Sequence, residues 1–262
     1  MQLNEFFDTY AKDYQDFLKN PLAEYQRSMI HELLRSFLNR NKKILDVGCG
    51  PGSDFDFYKS LSLEIDAIDI SREMIQTARK HAQRLGLKAR IARSSLLDFV
   101  PDTLYDVIIL NFGVINVMDN IDEPLKKIKS ILKPDGYVII VSMPIFHFFS
   151  FLQDAFKLRF KKLFFRLSRG QAELKNGFKI HYYNEKDFKS GFAVMHRENY
   201  CSLIATPEQY KNSALARLWT KMLISLDQKY SAKIPDRLGG DHICYVLKAF
   251  SVTPQKKNDS VS

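Results

Sequence analysis

The sequence is poor in cysteine and lacks the long apolar runs of membrane proteins. Its three cysteines are too few and too scattered for a disulfide framework or a zinc cluster. No apolar stretch approaches the roughly 20 residues that cross a bilayer. Residues 1–10 are polar and acidic, without the basic stretch and apolar core of a signal peptide. These absences predict a reduced, cytoplasmic protein.

Clustered metal ligands are also missing. The six histidines are dispersed, with no His-x-x-x-His pair and no grouped carboxylates, so the sequence predicts no metal site. The composition is that of a globular protein, 45% hydrophobic and 26% charged. The formal net charge is +9, but residues 157–179 alone carry eight basic residues against one acidic residue. The basicity therefore belongs to one segment, and the rest of the chain is close to balanced.

Five predicted strands alternate with helices in the first half of the chain. They lie at residues 43–47, 63–68, 88–92, 105–110 and 137–142. Strand–helix–strand crossovers of ordinary length imply one parallel sheet. Among the intervening helices, Ser53 and Ser71 are predicted N-caps and Gly86 a C-terminal stop.

Further elements flank this alternating unit. Two helices with apolar spacings of three and four are predicted before it, and after it a sixth strand, more helices and a last strand. Their positions are 3–18, 22–37, within 188–202, within 207–230, and 242–250. A helix is predicted at 121–132, just before a turn at 133–136.

The first strand ends in a glycine-rich turn, Asp46-Val47-Gly48-Cys49-Gly50-Pro51-Gly52. Alternate glycines let the backbone turn sharply and let a ligand approach without a Cβ in the way. The helix that follows is expected to direct free N–H groups at a bound carboxylate. The second strand ends in Asp69, where a carboxylate can accept hydrogen bonds from both hydroxyls of a ribose. The pattern predicts a ligand site at the carboxyl ends of these strands.

Two details separate the cofactors that use such a turn. Ser53 stands where the dinucleotide motif G-x-G-x-x-G has its third glycine. Asp46, two residues before the first glycine, would repel a pyrophosphate but suit an ammonium. The pattern therefore favours S-adenosylmethionine, which carries an amine, a carboxylate and a ribose. A nicotinamide-dependent oxidoreductase and a non-catalytic S-adenosylmethionine-binding module remain as alternatives.

At this point the sequence resembles the class I S-adenosylmethionine-dependent methyltransferase family, in its small-molecule branch. The segments that carry the resemblance, in order, are 44–52, 69–71 with Met74, 95–99, 105–108 and 132–137. It implies an α/β fold with a doubly wound, seven-stranded, mostly parallel sheet (a Rossmann-like methyltransferase fold). It also implies an N-terminal helical lid and a helical cap inserted after strand five. The implied segments are a lid at 1–40, a cofactor-binding core at 41–144, an aromatic and basic cap at 145–190, completion of the sheet at 191–252, and a disordered tail at 253–262.

The resemblance also implies a set of cofactor contacts. In chain order these are Tyr14, Asp46, Gly48, Cys49, Gly50, Gly52, Asp69, Ile70, Met74, Ser95, Leu96 and Asn111. Asp46 would hold the amino end of the methionine part and Asp69 the ribose, while Ile70 and Met74 pack on the adenine. Ser95, where many relatives place an aspartate, would meet the amino edge of the adenine. Tyr14 would lie near the methionine, although with Tyr10 it could also form an ordinary packed helical face.

The implied reaction is in-line transfer of a methyl group to a small acceptor, which could be hydrophobic. A hydroxyl acceptor would require a base, and His147, His181 and His242 are the candidates at the edge of the sheet. For each of them a structural role is the competing interpretation, and transfer to a carbon or amine acceptor need not use a base. The sequence sets neither the acceptor nor the oligomeric state.

Residues 146–167 are predicted to form a helix with one aromatic face and basic residues outside it. The favoured interpretation is a cap packed over the acceptor site. The alternative is a peripheral contact with an anionic membrane, which would suit a hydrophobic acceptor. Nucleic acid is not an expected partner, because no recognised nucleic-acid motif accompanies the charges.

Overall fold

A computed structural model describes residues 2–38, 42–147, 158, 170–173, 178–204, 214–230 and 239–250. Its strands are β1 Lys43–Val47, β2 Glu64–Asp69, β3 Ala89–Arg93, β4 Tyr105–Leu110, β5 Leu132–Ser142, β6 Gln171–Glu173, β7 Lys179–His181, β8 Phe192–Tyr200 and β9 His242–Ala249. Its helices are α1 Leu3–Leu18, α2 Pro21–Phe37, α3 Phe55–Ser60, α4 Arg72–Leu85, α5 Asp122–Ile131, α6 Glu185–Phe188 and α7 Ala214–Tyr230, with a 3₁₀ turn at Val114–Val117.

Seven strands form one sheet in the order β3-β2-β1-β4-β5-β9-β8. β9 runs antiparallel to both of its neighbours, and the other pairs are parallel. The predicted doubly wound, mostly parallel sheet is therefore confirmed. Because β9 is reversed, its first residue, His242, lies at the edge where β1, β2, β4 and β5 end.

The core lies on both faces of this sheet. Side chains alternate along β4, so Val107 and Ile109 join one apolar cluster and Ile108 and Leu110 the other. All four are fully buried. Burial on both faces explains why the central strands read as continuous apolar runs.

The helix boundaries follow the predicted signals with one exception. The Ser71 hydroxyl accepts from the Met74 N–H at the start of α4, and Gly86 ends that helix with φ 61°. At α3 the prediction was wrong, because Asp54 and not Ser53 precedes the first helical residue. The Asp54 carboxylate does not cap the helix, since it is held by side chains from elsewhere in the fold.

Two other elements differ from the predicted ones. β5 begins at Leu132, not Tyr137, because Leu132 already pairs with Tyr105. A register shift follows that pair, at the position of the expected turn. The described part of the predicted helical cap contains the β6–β7 hairpin and the short helix α6. Most of the helix predicted at 146–167 lies outside the described residues, as does the predicted tail at 253–262.

The β6–β7 hairpin contacts both α1 and the 3₁₀ turn after β4. The Asn116 amide, in the 3₁₀ turn after β4, donates to the His181 carbonyl over 2.7 Å. Phe178, just before β7, meets Phe6 of α1 with ring centroids 4.9 Å apart. The hairpin thus joins α1 to the turn beside the carboxyl end of β4.

Candidate cofactor and acceptor site

The glycine loop after β1 is shaped by three residues with left-handed backbones, Gly48 (φ 69°), Gly50 (φ 54°) and Gly52 (φ 79°). A Cβ on Gly48 would lie 2.5 Å from Val114, and one on Gly52 would lie 2.5 Å from Phe55. A Cβ on Gly50 would meet only the Tyr14 ring, at 3.7 Å. Of the three, Gly50 alone faces open space, as a close approach by a ligand requires.

The amide donors of this loop are used within the chain. Gly48 and Cys49 both donate to the Ile68 carbonyl, and Gly52 donates to the Cys49 carbonyl. Gly50 donates to the Asp69 carboxylate over 2.9 Å. These four loop donors are therefore not free to receive a ligand carboxylate. The Cys49 side chain is buried in the apolar core.

Asp69 stands at the end of β2, with one carboxylate oxygen bonded to the glycine loop and the other to Ser71, the N-cap residue of α4. Oδ2 accepts from Gly50, and Oδ1 accepts from the Ser71 N–H over 2.8 Å. Burial raises the pKa of this carboxyl, although the amides of Ser71 and Gly50 oppose the rise. Each oxygen keeps one further lone-pair direction. Asp69 can therefore accept from two ribose hydroxyls without releasing the loop.

A buried ionic cluster lies beside the loop and is centred on Asp54. Arg27 and His31, both from α2, contact its Oδ1, and the Asn111 amide donates to Oδ2 over 2.9 Å. Burial alone would raise the pKa of Asp54, but Arg27 and His31 hold it well below its ordinary value. The cluster ties α2 to the carboxyl ends of β1 and β4, and it brings a guanidinium beside the glycine loop.

Asp46 and Tyr14 belong to the same neighbourhood. Asp46 is 2% exposed, and burial, followed by the negative charge of Asp54, raises its pKa well above the ordinary value. Burial also raises the pKa of the Tyr14 hydroxyl, with Arg27 opposing the rise. A region with two carboxylates and one guanidinium offers complementary charge to both ends of an amino acid zwitterion.

Phe112 connects this cluster to the next strand. It follows β4 with φ 48°, a left-handed backbone that non-glycine residues rarely adopt. The Arg27 guanidinium lies 4.4 Å from its ring centroid, within cation–π range. Its edge meets His242 at 5.4 Å between centroids. The strained residue thus stands between the charged cluster and the start of β9.

A cavity of about 550 Å³ opens at the other end of the loop. Ile70, Ser95 and Asp98 line it together with Arg93, Ser94 and residues 2–4 of the N-terminal segment. The Ser95 hydroxyl donates to the Asp98 carboxylate over 2.6 Å. Met74 and Leu96 are buried, with 3% and 5% exposure. Of the four predicted adenine contacts, Ile70 and Ser95 therefore share one cavity, and an acidic side chain lies in it.

The N-terminal helix is fastened beside this cavity. The Asp8 carboxylate of α1 accepts from the Ser71 hydroxyl and from the Glu73 N–H at the first turn of α4. A carboxylate at a helix N-terminus satisfies free amides and complements the helix dipole. Asp8 therefore anchors α1 directly next to the residues that follow Asp69.

The three candidate histidines do not converge on one point. His147 and His242 share Asp241, with Nδ1 atoms 3.7 Å and 3.1 Å from its carboxylate. Burial would raise the pKa of Asp241, but His242, His147 and the hydrogen bond from Gln26 lower it. His181 lies apart in β7, with Nε2 2.8 Å from Asp119. Two candidates are thus brought together at the sheet edge and the third is separate.

Several residues of this site were not predicted from the sequence. They are Asp8, Arg27, His31, Asp54, Asp98 and Phe112. Asp54 lies two residues after Gly52, the last residue of the glycine loop, so its position gave a local signal. Arg27 and Asp8 lie on amphipathic helices far away in sequence, and nothing local marks them.

The strand order, with a reversed β9, and the glycine loop with Asp69 at the next strand end together describe one known architecture. The family model described as "Methyltransferase domain" matches residues 38–209, which is more than half of the chain. The chain belongs to the class I S-adenosylmethionine-dependent methyltransferases. Methyl transfer from S-adenosylmethionine is the reaction of this family.

Individual relatives resemble the chain over shorter stretches. It is 33% identical over 104 residues to the ubiquinone biosynthesis O-methyltransferase of Actinobacillus pleuropneumoniae, covering 36% of this chain and 43% of the relative. It is 27% identical over 206 residues to the ubiquinone/menaquinone biosynthesis C-methyltransferase of Pasteurella multocida, covering 64% and 75%. The chain spans 34–60% of the length of six other curated relatives.

Solved structures share the fold. The 1,6-didemethyltoxoflavin-N1-methyltransferase of Burkholderia thailandensis, with its substrate and S-adenosylhomocysteine bound, superposes with a TM-score of 0.60. That match covers 95% of this chain and 88% of the other at 15% identity. The relatives named here methylate oxygen, carbon and nitrogen, so the family alone does not select the acceptor atom.

Proposed function

We propose that this methyltransferase binds S-adenosylmethionine across the glycine loop and transfers its methyl group to a small hydroxylated acceptor beside β9. The methionine end would lie against Arg27, Asp46 and Tyr14, the ribose on Asp69, and the adenine in the cavity lined by Ile70 and Ser95. These residues fit the cofactor because they bring a cation, carboxylates and an open glycine close together in the fold.

Arg27 is the proposed partner of the methionine carboxylate. Four amides of the loop already have acceptors within the chain, and α3 contains only six residues. A guanidinium has five N–H donors, so Arg27 can hold Asp54 and a second carboxylate together. Asp46 would then receive the ammonium, whose charge offsets the repulsion between Asp46 and Asp54.

Asp98 is the proposed acceptor for the adenine amino group. Many relatives place an aspartate at the position of Ser95, and here Ser95 donates to Asp98 within the same cavity. The carboxylate of Asp98 retains free lone pairs for an N–H donor. Asp98, three residues after Ser95, would thus supply the carboxylate acceptor that the Ser95 side chain lacks.

The observation that supports a hydroxyl acceptor is the position of Asp241. This carboxylate lies at the edge where the cofactor loop lies, with His242 in contact with both Asp241 and Phe112. S-adenosylmethionine, when bound, supplies a methyl group on a positively charged sulfur. The chain's own residues must orient the acceptor and take up its proton. We assign that proton to His242, with Asp241 stabilising the imidazolium and His147 positioning Asp241. His181, 2.8 Å from Asp119, is proposed to be structural.

The test is formation of S-adenosylhomocysteine with a panel of phenols, amines and carbon acids. Phenols should give the fastest turnover, and His242→Gln should lower kcat roughly 100-fold or more while removing the acidic limb of its pH profile. The matched control is His81→Gln, because His81 pairs with Asp56 on α4 and α3, away from this edge. An unchanged pH profile in His242→Gln would contradict the assigned base, and turnover confined to amines or carbon acids would contradict the hydroxyl acceptor.

A further inference from the structure

Helix α7 presents an apolar face to solvent, formed by Leu218, Trp219, Met222 and Leu226. Their exposed fractions are 67%, 54%, 43% and 38%, respectively. At 100° per residue these four side chains fall within an arc of about 100°. Neighbouring apolar side chains exposed together on one helix face indicate a binding surface, whereas isolated ones do not.

The opposite side of the same helix makes the contacts with the core. Thr220 and Asp227 are buried, and Leu223 and Ile224 pack against the apolar cluster. Asp227 accepts from the Tyr25 hydroxyl of α2 and from the Leu203 N–H. The helix is therefore fixed to the fold through one side, and its apolar face is not the side that stabilises it.

The exposed charges of α7 all have one sign. Arg217, Lys221 and Lys229 are exposed, while the single acidic residue of the helix, Asp227, is buried. Lys229 falls within the apolar arc, and Lys221 and Arg217 lie to one side of it. A tryptophan and aliphatic side chains flanked by basic residues are the pattern of a helix that lies in a membrane interface.

We propose that the α7 apolar face binds the surface of an anionic lipid bilayer. The basic residues would contact the headgroups, and Trp219 would lie at the boundary between headgroups and acyl chains. Within the described ranges, no helix is long and apolar enough to cross a bilayer. The proposal does not depend on the acceptor.

The chain provides its own probe, because Trp219 is its only tryptophan. Vesicles containing phosphatidylglycerol should shift the tryptophan emission to shorter wavelength and carry the full-length protein into the pellet. Vesicles of phosphatidylcholine alone should do neither. Absence of both effects, or equal effects with the two lipids, would overturn the proposal.

Two variant pairs test which residues are responsible. Met222→Glu with Leu226→Glu should abolish sedimentation, whereas Leu97→Glu with Val100→Glu, at exposed apolar positions elsewhere, should not. Lys221→Gln with Lys229→Gln should weaken binding about 25-fold, from roughly fivefold for each basic residue. The matched control, Lys80→Gln with Arg84→Gln on α4, should retain it. Full binding by the α7 variants would show that another segment holds the lipid.

Other occupants of the face give different results. If a second copy covers it, sedimentation equilibrium without lipid should show a dimer that Met222→Glu with Leu226→Glu dissociates. If another segment of the same chain covers it, acrylamide should fail to quench Trp219 in the lipid-free monomer. Either result would contradict the proposal of a bilayer surface.

Discussion

Substitution of Asp69 by alanine tests the ribose site most directly. In the proposed complex, two ribose hydroxyls would lose their hydrogen bonds to the carboxylate. The Gly50 and Ser71 amides would also lose this acceptor, which lies 2.9 Å and 2.8 Å from them. Hydrogen bonds to a charged group contribute about 1.5–3 kcal/mol each. Loss of the two ribose bonds alone therefore costs at least about 3 kcal/mol, which weakens S-adenosylhomocysteine binding by about 150-fold.

The effect can be separated into ribose and loop contributions. Titration calorimetry with S-adenosylhomocysteine and with its 2′,3′-dideoxy analogue should show a large difference for the wild-type protein and little for Asp69→Ala. Because burial raises the pKa of Asp69, wild-type affinity should fall as the pH drops through that raised value. If Asp69→Ala still discriminated fully between the two ligands, the carboxylate would not be at the ribose.

Three further substitutions test other parts of the site. Arg27→Met should weaken S-adenosylhomocysteine binding at least about tenfold by calorimetry. The affinity for 5′-methylthioadenosine, which lacks the amino acid end, should not change. Equal losses of affinity for the two ligands would contradict the carboxylate assignment. Gly50→Ala should weaken cofactor binding while lowering the free energy of unfolding by only about 1–2 kcal/mol, because its left-handed backbone carries the strain and its Cβ points into open space. In Asp54→Asn, the free energy of unfolding measured with urea should decrease less at acid pH than it does in the wild type. Because its folded pKa is lowered, Asp54 stabilises the fold fully above the ordinary carboxyl pKa of about 4 and loses this contribution as the pH falls further. An Asp54→Asn curve parallel to the wild type would refute that.

The parts of the fold that could be predicted depend on strong local signals. The strand at Tyr105–Leu110 is almost entirely apolar because it is buried on both faces, and that pattern is visible in the sequence. Gly86 ends α4 in a left-handed conformation that glycine adopts at little cost. The doubly wound, seven-stranded, mostly parallel sheet followed from the family resemblance, and the structure confirms it.

The parts of the fold and site that the sequence did not predict are short strands and contacts between residues distant in sequence. β6 and β7 are three residues each, too short for any periodicity to appear. Arg27 and Asp54 are 27 positions apart, and their pairing exists only because α2 packs beside the glycine loop. No local pattern marked Arg27 as the cation proposed to hold the methionine carboxylate.

Because Asp8 anchors α1 to the start of α4, detachment of α1 would also affect the position of the Asp69 carboxylate. If α1 detaches, the first turn of α4 loses both the Ser71 hydroxyl contact and the acceptor of the Glu73 amide. Fraying there would reach Ser71, whose N–H orients the Asp69 carboxylate. Departure of the N-terminal helix would thus disorder the carboxylate proposed to bind the sugar, and a nucleoside held by Asp69 would in turn slow hydrogen exchange in α1.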